Sequence, residues 1–338
     1  MTLDRKYEMT DCFQFLPRNT AIARMNKLAA AGTPFVFVID YNGNHSIVMP
    51  ETEINPSQIL FCFSEHGNWN ETSPNCDEKV EWNITPPSKE EYKRSFNLVR
   101  QNLLAGNTYL VNLTCRVPIN TNLTLRDIFF RSKARYKLWL KNQFVCFSPE
   151  IFVRIDGRKI FSYPMKGTVQ DVQGAESSIL SDIKEAAEHA TIVDLIRNDL
   201  SMEASKVKVK RYRYIERLVT NKGSILQTSS EIEGLLPTDW RKRVGNILFS
   251  LLPAGSITGA PKPQTIEIIN EAEGYQRGFY TGVMGRYDNG KLDSAVMIRF
   301  IDSEDGKFFF KAGGGITAKS NWEKEYEEII QKIYVPIY

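Results

Sequence analysis

The run Phe144-Val-Cys-Phe-Ser-Pro-Glu-Ile-Phe-Val-Arg-Ile-Asp-Gly-Arg-Lys-Ile-Phe-Ser-Tyr163 decides the fold class. It holds three short β-rich segments, 144–148, 151–155 and 159–163, parted by a Pro-Glu step and by the turn dipeptide Asp156-Gly157. A link that short joins antiparallel strands, because a parallel crossover needs a dozen residues or more. Similar runs lie on both sides. Pro34-Phe-Val-Phe-Val-Ile-Asp40 precedes the turn Tyr41-Asn-Gly-Asn44, and further β-rich stretches cover 108–118, 207–209, 278–287, 294–302 and 307–312. Helical patterns interrupt them at 20–31, 88–104, 125–134, 177–200, 240–251, 263–272 and 321–333, and Ser88-Lys-Glu-Glu91 has the form of a capping box. Antiparallel hairpins in mixed order with helices predict an α+β fold, not a doubly wound parallel sheet. A polar, Pro- and Asn-rich stretch at 64–87 reads as a loop, and no flexible linker divides the chain. Residues 1–338 are therefore expected to form one domain.

Composition removes several function classes. The 43 basic and 40 acidic residues leave a net charge of +3, so bulk charge gives no reason to expect nucleic-acid binding. The short basic run at 206–217 alternates with Val207, Val209, Tyr212 and Tyr214, the pattern of a strand with one solvated basic face. The five cysteines, Cys12, Cys62, Cys76, Cys115 and Cys146, never stand in a Cys-x-x-Cys spacing, which argues against a zinc site or a disulfide scaffold. The first residues lack an apolar signal core and no stretch has the roughly 18 apolar residues of a membrane span, so the expectation is a cytoplasmic protein with no membrane partner. His-Glu-x-x-His, Gly-x-Ser-x-Gly, Walker and dinucleotide motifs are all missing.

What remains is a set of carboxylates, one lysine and several glycine runs. Glu185 and Glu188 share a helix face after a Ser181 N-cap, and Glu325 and Glu328 are spaced alike on the last helix with Lys332 a turn further on. Periodicity alone also allows two solvated helix faces. If the pairs meet, their hard oxygen donors suit a hydrated Mg2+. Lys166, in Tyr163-Pro-Met-Lys-Gly-Thr168, sits where Pro and Gly would fix a turn at a strand end. Such a lysine serves as a nucleophile once its amine is neutral. The Asp156-Gly157 hairpin brings Glu150 to the same end of the paired strands, so an acid and a nucleophile can face one substrate. Pro253-Ala-Gly-Ser-Ile-Thr-Gly-Ala-Pro-Lys262, Gly278-Phe-Tyr-Thr-Gly282 and Lys311-Ala-Gly-Gly-Gly-Ile316 read as loops that present backbone N–H groups to a carboxylate. Arg299, on an expected strand Met297-Ile-Arg-Phe300, can pair with such a group bidentately.

Five runs occur in an order that resembles the chorismate-utilising enzymes, the family of the anthranilate and aminodeoxychorismate synthase large subunits and of the isochorismate and salicylate synthases. They are Ser148-Pro-Glu150, Pro164-Met-Lys-Gly-Thr168, Glu185-Ala-Ala-Glu-His-Ala-Thr-Ile-Val-Asp-Leu-Ile-Arg-Asn-Asp-Leu200, Gly255-Ser-Ile-Thr-Gly-Ala-Pro-Lys262, and Gly313-Gly-Gly-Ile316 with Glu325-Tyr-Glu-Glu328. The resemblance covers residues 88–335 and leaves a shortened amino-terminal part at 1–87. It implies an α/β/β/α sandwich of two large antiparallel sheets with outer helices and a site at one edge.

Within the family, Lys166 in Pro-Met-Lys-Gly-Thr resembles the Pro-Ile-Lys-Gly-Thr of the aminodeoxychorismate synthase branch, as does Gly106-Asn-Thr-Tyr-Leu-Val-Asn-Leu-Thr114. Leu110 stands where water-adding relatives carry a lysine. The resemblance then implies conversion of chorismate and ammonia to 4-amino-4-deoxychorismate on the route to 4-aminobenzoate and folate. It implies Lys166 as covalent nucleophile and Glu150 as acid. Glu188 and Glu328 would hold Mg2+ directly, with Glu185 and Glu325 acting through water. Tyr280, Arg299 and Gly313, Gly314 and Gly315 would bind a carboxylate, with Thr168, Ser256 and Lys332 lining the site. It implies a separate glutamine amidotransferase as the ammonia source.

The sequence departs from the family in places. Val169-Gln-Asp171 replaces Arg-Pro-Arg, Arg217 stands in place of a histidine, and Ala134-Arg-Tyr136 replaces the Asn-Pro-x-Pro-Tyr segment associated with bound tryptophan, so no tryptophan site is expected. The alternatives are an anthranilate synthase large subunit and a catalytically idle homologue.

Overall fold

The computed structural model describes residues 13–69, 79–220 and 223–333; Cys12 and Cys76 lie outside them. In chain order the elements begin with helix α1 (Arg18–Ala30), the hairpin β1 (Phe35–Ile39) and β2 (Ser46–Pro50), β3 (Ile59–Phe63), β4 (His66–Gly67) and β5 (Trp82–Ile84). They continue with α2 (Lys89–Leu104), the long β6 (Leu110–Thr121), α3 (Leu125–Arg131), β7 (Tyr136–Leu140) and β8 (Phe144–Ser148). Next come β9 (Ile151–Asp156), β10 (Lys159–Ser162), β11 (Met165–Gln170), α4 (Ala175–Ser181), α5 (Ile183–Ser201), β12 (Ser205–Thr220) and β13 (Gly223–Leu235). The chain closes with α6 (Val244–Ser250), a 3-10 turn at Gly255–Ile257, β14 (Gly259–Ala260), α7 (Lys262–Glu273), β15 (Val283–Asp288), β16 (Lys291–Val296), β17 (Phe300–Glu304), β18 (Lys307–Ile316) and α8 (Trp322–Lys332).

The strands form two 9-stranded sheets among the described residues, and every pairing is antiparallel. The first runs β11-β13-β10-β9-β16-β15-β1-β2 with β12 also on β13; the second runs β14-β6-β18-β17-β8-β7-β3-β4 with β5 also on β6.

Side-chain alternation explains why the strands read as unbroken apolar runs. Phe35, Phe37 and Ile39 of β1 pack outward against Met25, Trp240 and Leu248 of the helical layer, while Val36 and Val38 point inward to Phe61, Leu138 and Phe144 of the other sheet. In β8 the inward pair is Phe144 and Cys146, and Val145 and Phe147 meet Val99, Phe129 and Ile269 on the far side. Both faces of each sheet are covered, so period-two patterning leaves little polar surface in these strands. This is the expected α/β/β/α sandwich.

The expected capping box is present, with Ser88 Oγ accepting from Glu91 N and Glu91 accepting from Ser88 N. The helical pattern at 177–200 is in fact two helices. Asp182, not Ser181, caps the second, its carboxylate accepting from Glu185 N at 3.0 Å. The basic run becomes the edge strand β12, where Lys208 and Lys210 pair with Glu233 and Glu231 of β13 at 3.1 and 2.9 Å. Two of its positive charges are thereby answered by the neighbouring strand. Cys62, Cys115 and Cys146 are free thiols. Among the described residues no helix is long and apolar enough to cross a membrane.

Candidate active site

Two links cross between the sheets side by side. Ser148-Pro-Glu150 carries the chain from β8 in the second sheet to β9 in the first, and residues 297–299 carry it back from β16 to β17. Because β9 pairs with β16 and β8 with β17, the two crossovers are neighbours, with Val296 N donating to Glu150 O and Phe147 N donating to Arg299 O. Arg299 therefore lies in a sheet-to-sheet link and not on a strand as expected. Its φ of +51° is a left-handed backbone that a non-glycine residue adopts at a cost.

Lys166 also departs from the expected turn. Pro164 interrupts the strand between β10 and β11, both of which pair with β13, and Lys166 sits inside β11 at a bulge where Gly167 takes φ +69°. The bulge re-aims the lysine side chain off the strand's regular alternation. The expected glycine loop is likewise a strand: Gly313, Gly314 and Gly315 are part of β18 and face Thr114, Leu113 and Asn112 of β6. Their function is clearance. A Cβ on Gly315 would lie 3.1 Å from Lys166 Nζ, and one on Gly314 would lie 3.7 Å from Glu325 and 3.8 Å from Lys332 Nζ.

Around this glycine strand the expected residues converge. Lys166 Nζ stands 3.7 Å from Glu188, Lys332 Nζ binds Glu328 at 2.7 Å and donates to Gly313 O at 3.1 Å, and Glu185 lies beside Gly167. Glu325 is buried. Glu325 of α8 thus lies beside Gly314, while Glu188 of α5 is joined to Gly315 through Lys166, and each helix pairs one glutamate with a lysine amine. Their all-oxygen donor set fits a hard divalent cation, although among the described residues no three such side chains already converge on one point. Mg2+ needs few direct protein ligands because it keeps several waters.

Glu150 receives a 2.5 Å hydrogen bond from Ser256 Oγ on the 3-10 turn. Burial pushes its carboxyl above the ordinary value, and Ser256, Lys166 and Lys332 pull in the other direction. Ser256 is thus hydrogen-bonded to the acid, and the charge of Lys166 favours its ionised form. Tyr280 is buried against Phe300, and burial raises its phenol, so it stays a neutral hydrogen-bond donor. It lies in the turn before β15, within the stretch Gly278–Gly282 also read as a loop, so the β-rich stretch expected at 278–287 becomes strand only from Val283. Thr168 is on β11, but its side chain lies outside the described residues.

Two further groups escaped the sequence reading. His189, next to Glu188 on α5, is wholly buried with Nε2 2.6 Å from Ser230 Oγ; burial, then Arg213 and Lys166, bring it down to about 4, so the ring is neutral. Its place directly after Glu188 in Glu185-Ala-Ala-Glu-His189 was the available signal. The second is a buried clamp. Arg277 pairs with Glu273 at 2.6 Å and donates to Ile257 O at 2.9 Å and Asn112 O at 2.7 Å, while Glu273 accepts from Thr114 N at 2.8 Å. One guanidinium thereby ties the Ser256 turn to the strand opposite the glycines. The two departures from the family pattern also meet each other, Arg217 Nε lying 2.8 Å from Asp171.

The family described as chorismate binding enzyme matches residues 9–337. An uncharacterised PabA-like protein of Haemophilus influenzae is 48% identical over 94% of this chain and 96% of its own length. Anthranilate synthase component 1 of Acetivibrio thermocellus is 34% identical over 72% of this chain and 52% of its own, and aminodeoxychorismate synthase component 1 of Bacillus subtilis 29% over 74% and 55%. Among solved structures, a 2,3-dihydroxybenzoate-specific isochorismate synthase from Bacillus anthracis shares the fold with a TM-score of 0.68 at 20% identity, covering 93% of this chain and 86% of that one. The family match spans almost the whole chain, and the chain belongs to the chorismate-binding enzymes.

Proposed function

We propose that the protein aminates chorismate at C4, giving 4-amino-4-deoxychorismate and water. The observation that carries this reading is Lys166, bulged off β11 toward the glycine strand beside Glu188 and acting on the Glu150 carboxyl. In this reading the neutral Lys166 amine attacks C2, the ring double bond shifts, and the C4 hydroxyl leaves as water with the proton of Glu150. Ammonia then bonds to C4, the double bond returns, and the C2–N bond breaks to release the Lys166 amine. The proton lost by the new C4 ammonium restores Glu150, so atoms and charge balance. A raised carboxyl suits the acid role, because the group must still hold its proton at the start.

Glu188 and Glu328 would hold Mg2+ with Glu185 and Glu325 supporting through water. When bound, such a cation neutralises the ring carboxylate of chorismate. Arg299 supplies a fixed positive charge for the enolpyruvyl carboxylate and Tyr280 a neutral donor, with Thr168, Lys332 and the glycine-strand backbone beside them. A glutamine amidotransferase subunit is the proposed ammonia source, and 4-aminobenzoate and folate synthesis in the cytoplasm the proposed setting.

The greater identity to an anthranilate synthase component 1 favours a second reading, amination at C2. One experiment separates them. Chorismate is turned over with Mg2+ and ammonium chloride, with an added lyase that converts aminodeoxychorismate to 4-aminobenzoate. We expect 4-aminobenzoate from the wild type and a loss of about 100-fold or more in Lys166→Ala, the scale of a lost nucleophile. Anthranilate as the product would overturn the proposal.

A further inference from the structure

Two residues beside the site hold a left-handed backbone without being glycine. Arg299 has φ +51° and Thr281 has φ +62°. Thr281 is the more strained of the two, because a β-branched side chain is crowded in that region. Such a conformation persists only where the surroundings fix it.

The two residues belong to one hydrogen-bonded unit. Thr281 N donates to Met297 O and Met297 N donates to Gly282 O, both at 2.8 Å, so the turn that carries Tyr280 is laced to the start of the link that ends in Arg299. The Thr281 hydroxyl donates to Tyr280 O at 2.6 Å and accepts from Arg277 Nη1 at 3.3 Å. That guanidinium also donates to Ile257 O, one residue past Ser256, and to Asn112 O, opposite Gly315. Thr281 is wholly buried, so water does not compete for its hydroxyl. The turn has no room to slide, since a Cβ on Gly282 would run into the carbonyl oxygen of Ile39. Glycine at position 281 would meet the same backbone with less strain. What threonine adds is a hydroxyl that bonds Tyr280 O and Arg277 at once.

We infer that Thr281 is a positioning residue for the substrate: its hydroxyl and left-handed backbone fix Tyr280 and, through Met297, Arg299 before chorismate arrives. The inference rests on the roles proposed above for those two residues as donor and charge for the enolpyruvyl carboxylate. A donor and a cation set in advance spare the ligand the cost of ordering them, so the effect falls on affinity. Thr281 itself is enclosed and acts through its neighbours.

Two variants of the full chain test it. Thr281→Ala keeps a Cβ and loses the hydroxyl, and Thr281→Ser keeps the hydroxyl. Chorismate KM and kcat are measured with Mg2+ and ammonium chloride, and the chorismate dissociation constant is read by calorimetry with Mg2+ and no ammonium. We expect Thr281→Ala to raise both chorismate constants about fivefold or more while kcat falls less than about threefold, and Thr281→Ser to recover most of that loss. Thermal unfolding confirms that each protein is folded. If Thr281→Ala does not fold, Thr281→Gly, which takes the left-handed backbone freely, replaces it with the same expectation. A smaller rise in the chorismate constants of the folded variant without the hydroxyl, or an equal loss in Thr281→Ser, overturns the positioning role and leaves the amination intact. Anthranilate from the wild type overturns the C4 amination, while the positioning role is still decided by the same chorismate constants. No chorismate binding by the wild type overturns both.

Discussion

Gly315 and Gly313 show how one residue type does two jobs on one strand. A methyl group on Gly315 would meet the end of the flexible Lys166 side chain at 3.1 Å and Leu110 Cδ1 at 3.4 Å, groups that can move aside. A methyl on Gly313 would meet Thr114 Cγ2 at 2.5 Å and the Leu113 carbonyl oxygen at 2.8 Å, and the backbone cannot yield. Gly315→Ala is therefore expected to lower turnover at least tenfold with less than about 1 kcal/mol lost in stability, whereas Gly313→Ala should cost about 1–3 kcal/mol, read by urea unfolding. Equal losses of stability in the two would contradict the assigned roles. Ser256 gives a pH test of the same site. In the proposed mechanism the acid form of Glu150 is the active one, so activity is expected to fade as pH rises through its titration. Ser256 favours the charged carboxylate, and its removal in Ser256→Ala should carry the alkaline limb of the rate profile to higher pH while lowering the rate. A limb that moves to lower pH would refute it.

At the scale of elements, the sequence was most legible where one local rule acts. The Ser88 capping box, the Asp156-Gly157 hairpin and the glutamate spacing on α8 each depend on neighbours within a turn or two, and each formed. The misreadings came from tertiary context. Three glycines in a row carry no strand propensity, yet β6 templates them into β18 through nine register partners from Val111 to Ile119. The pattern at 294–302 looks like one strand because its side chains stay apolar while the chain changes sheets, and only the φ of Arg299 reveals the break. The Arg277–Glu273 clamp was invisible for a related reason: its partners Asn112, Thr114 and Ile257 are remote in sequence. Both side chains are almost fully enclosed, at 2% and 1% exposure, so removing one charge strands the other. Glu273→Gln is expected to destabilise the protein by about 3–5 kcal/mol, and replacing both residues with apolar ones should restore part of that loss. A single-residue loss below about 1 kcal/mol in denaturant titration would show that the clamp does not hold these strands.

Across the whole molecule, the two sheets are joined by a polar bridge as well as by their shared apolar layer. Arg154 of β9 donates to Asp293 of β16 at 2.8 Å within the first sheet, to Tyr136 Oη of β7 at 2.7 Å, and to Ser64 Oγ after β3 at 2.9 Å, both from the second sheet. Tyr136 and Ser64 in turn donate to the same aspartate, each at 2.7 Å. Tyr136 ends the segment 134–136 that replaces the tryptophan-associated motif of the family, and in this chain its hydroxyl is committed to that bridge. The Arg154 guanidinium already pairs with the Asp293 carboxylate, so the network is closed upon itself. A ligand that bound there would have to break several charge-assisted bonds, each worth more than an ordinary hydrogen bond. Tryptophan present at 100 times a dissociation constant would stabilise the protein by about 2.7 kcal/mol, a readily seen rise in melting temperature. We expect millimolar tryptophan to leave both the melting temperature and the rate of chorismate consumption unchanged. Should tryptophan raise the melting temperature, the test becomes Tyr136→Phe: a stronger response in that variant would locate the ligand at the bridge and show that the network is an obstacle and not a closure.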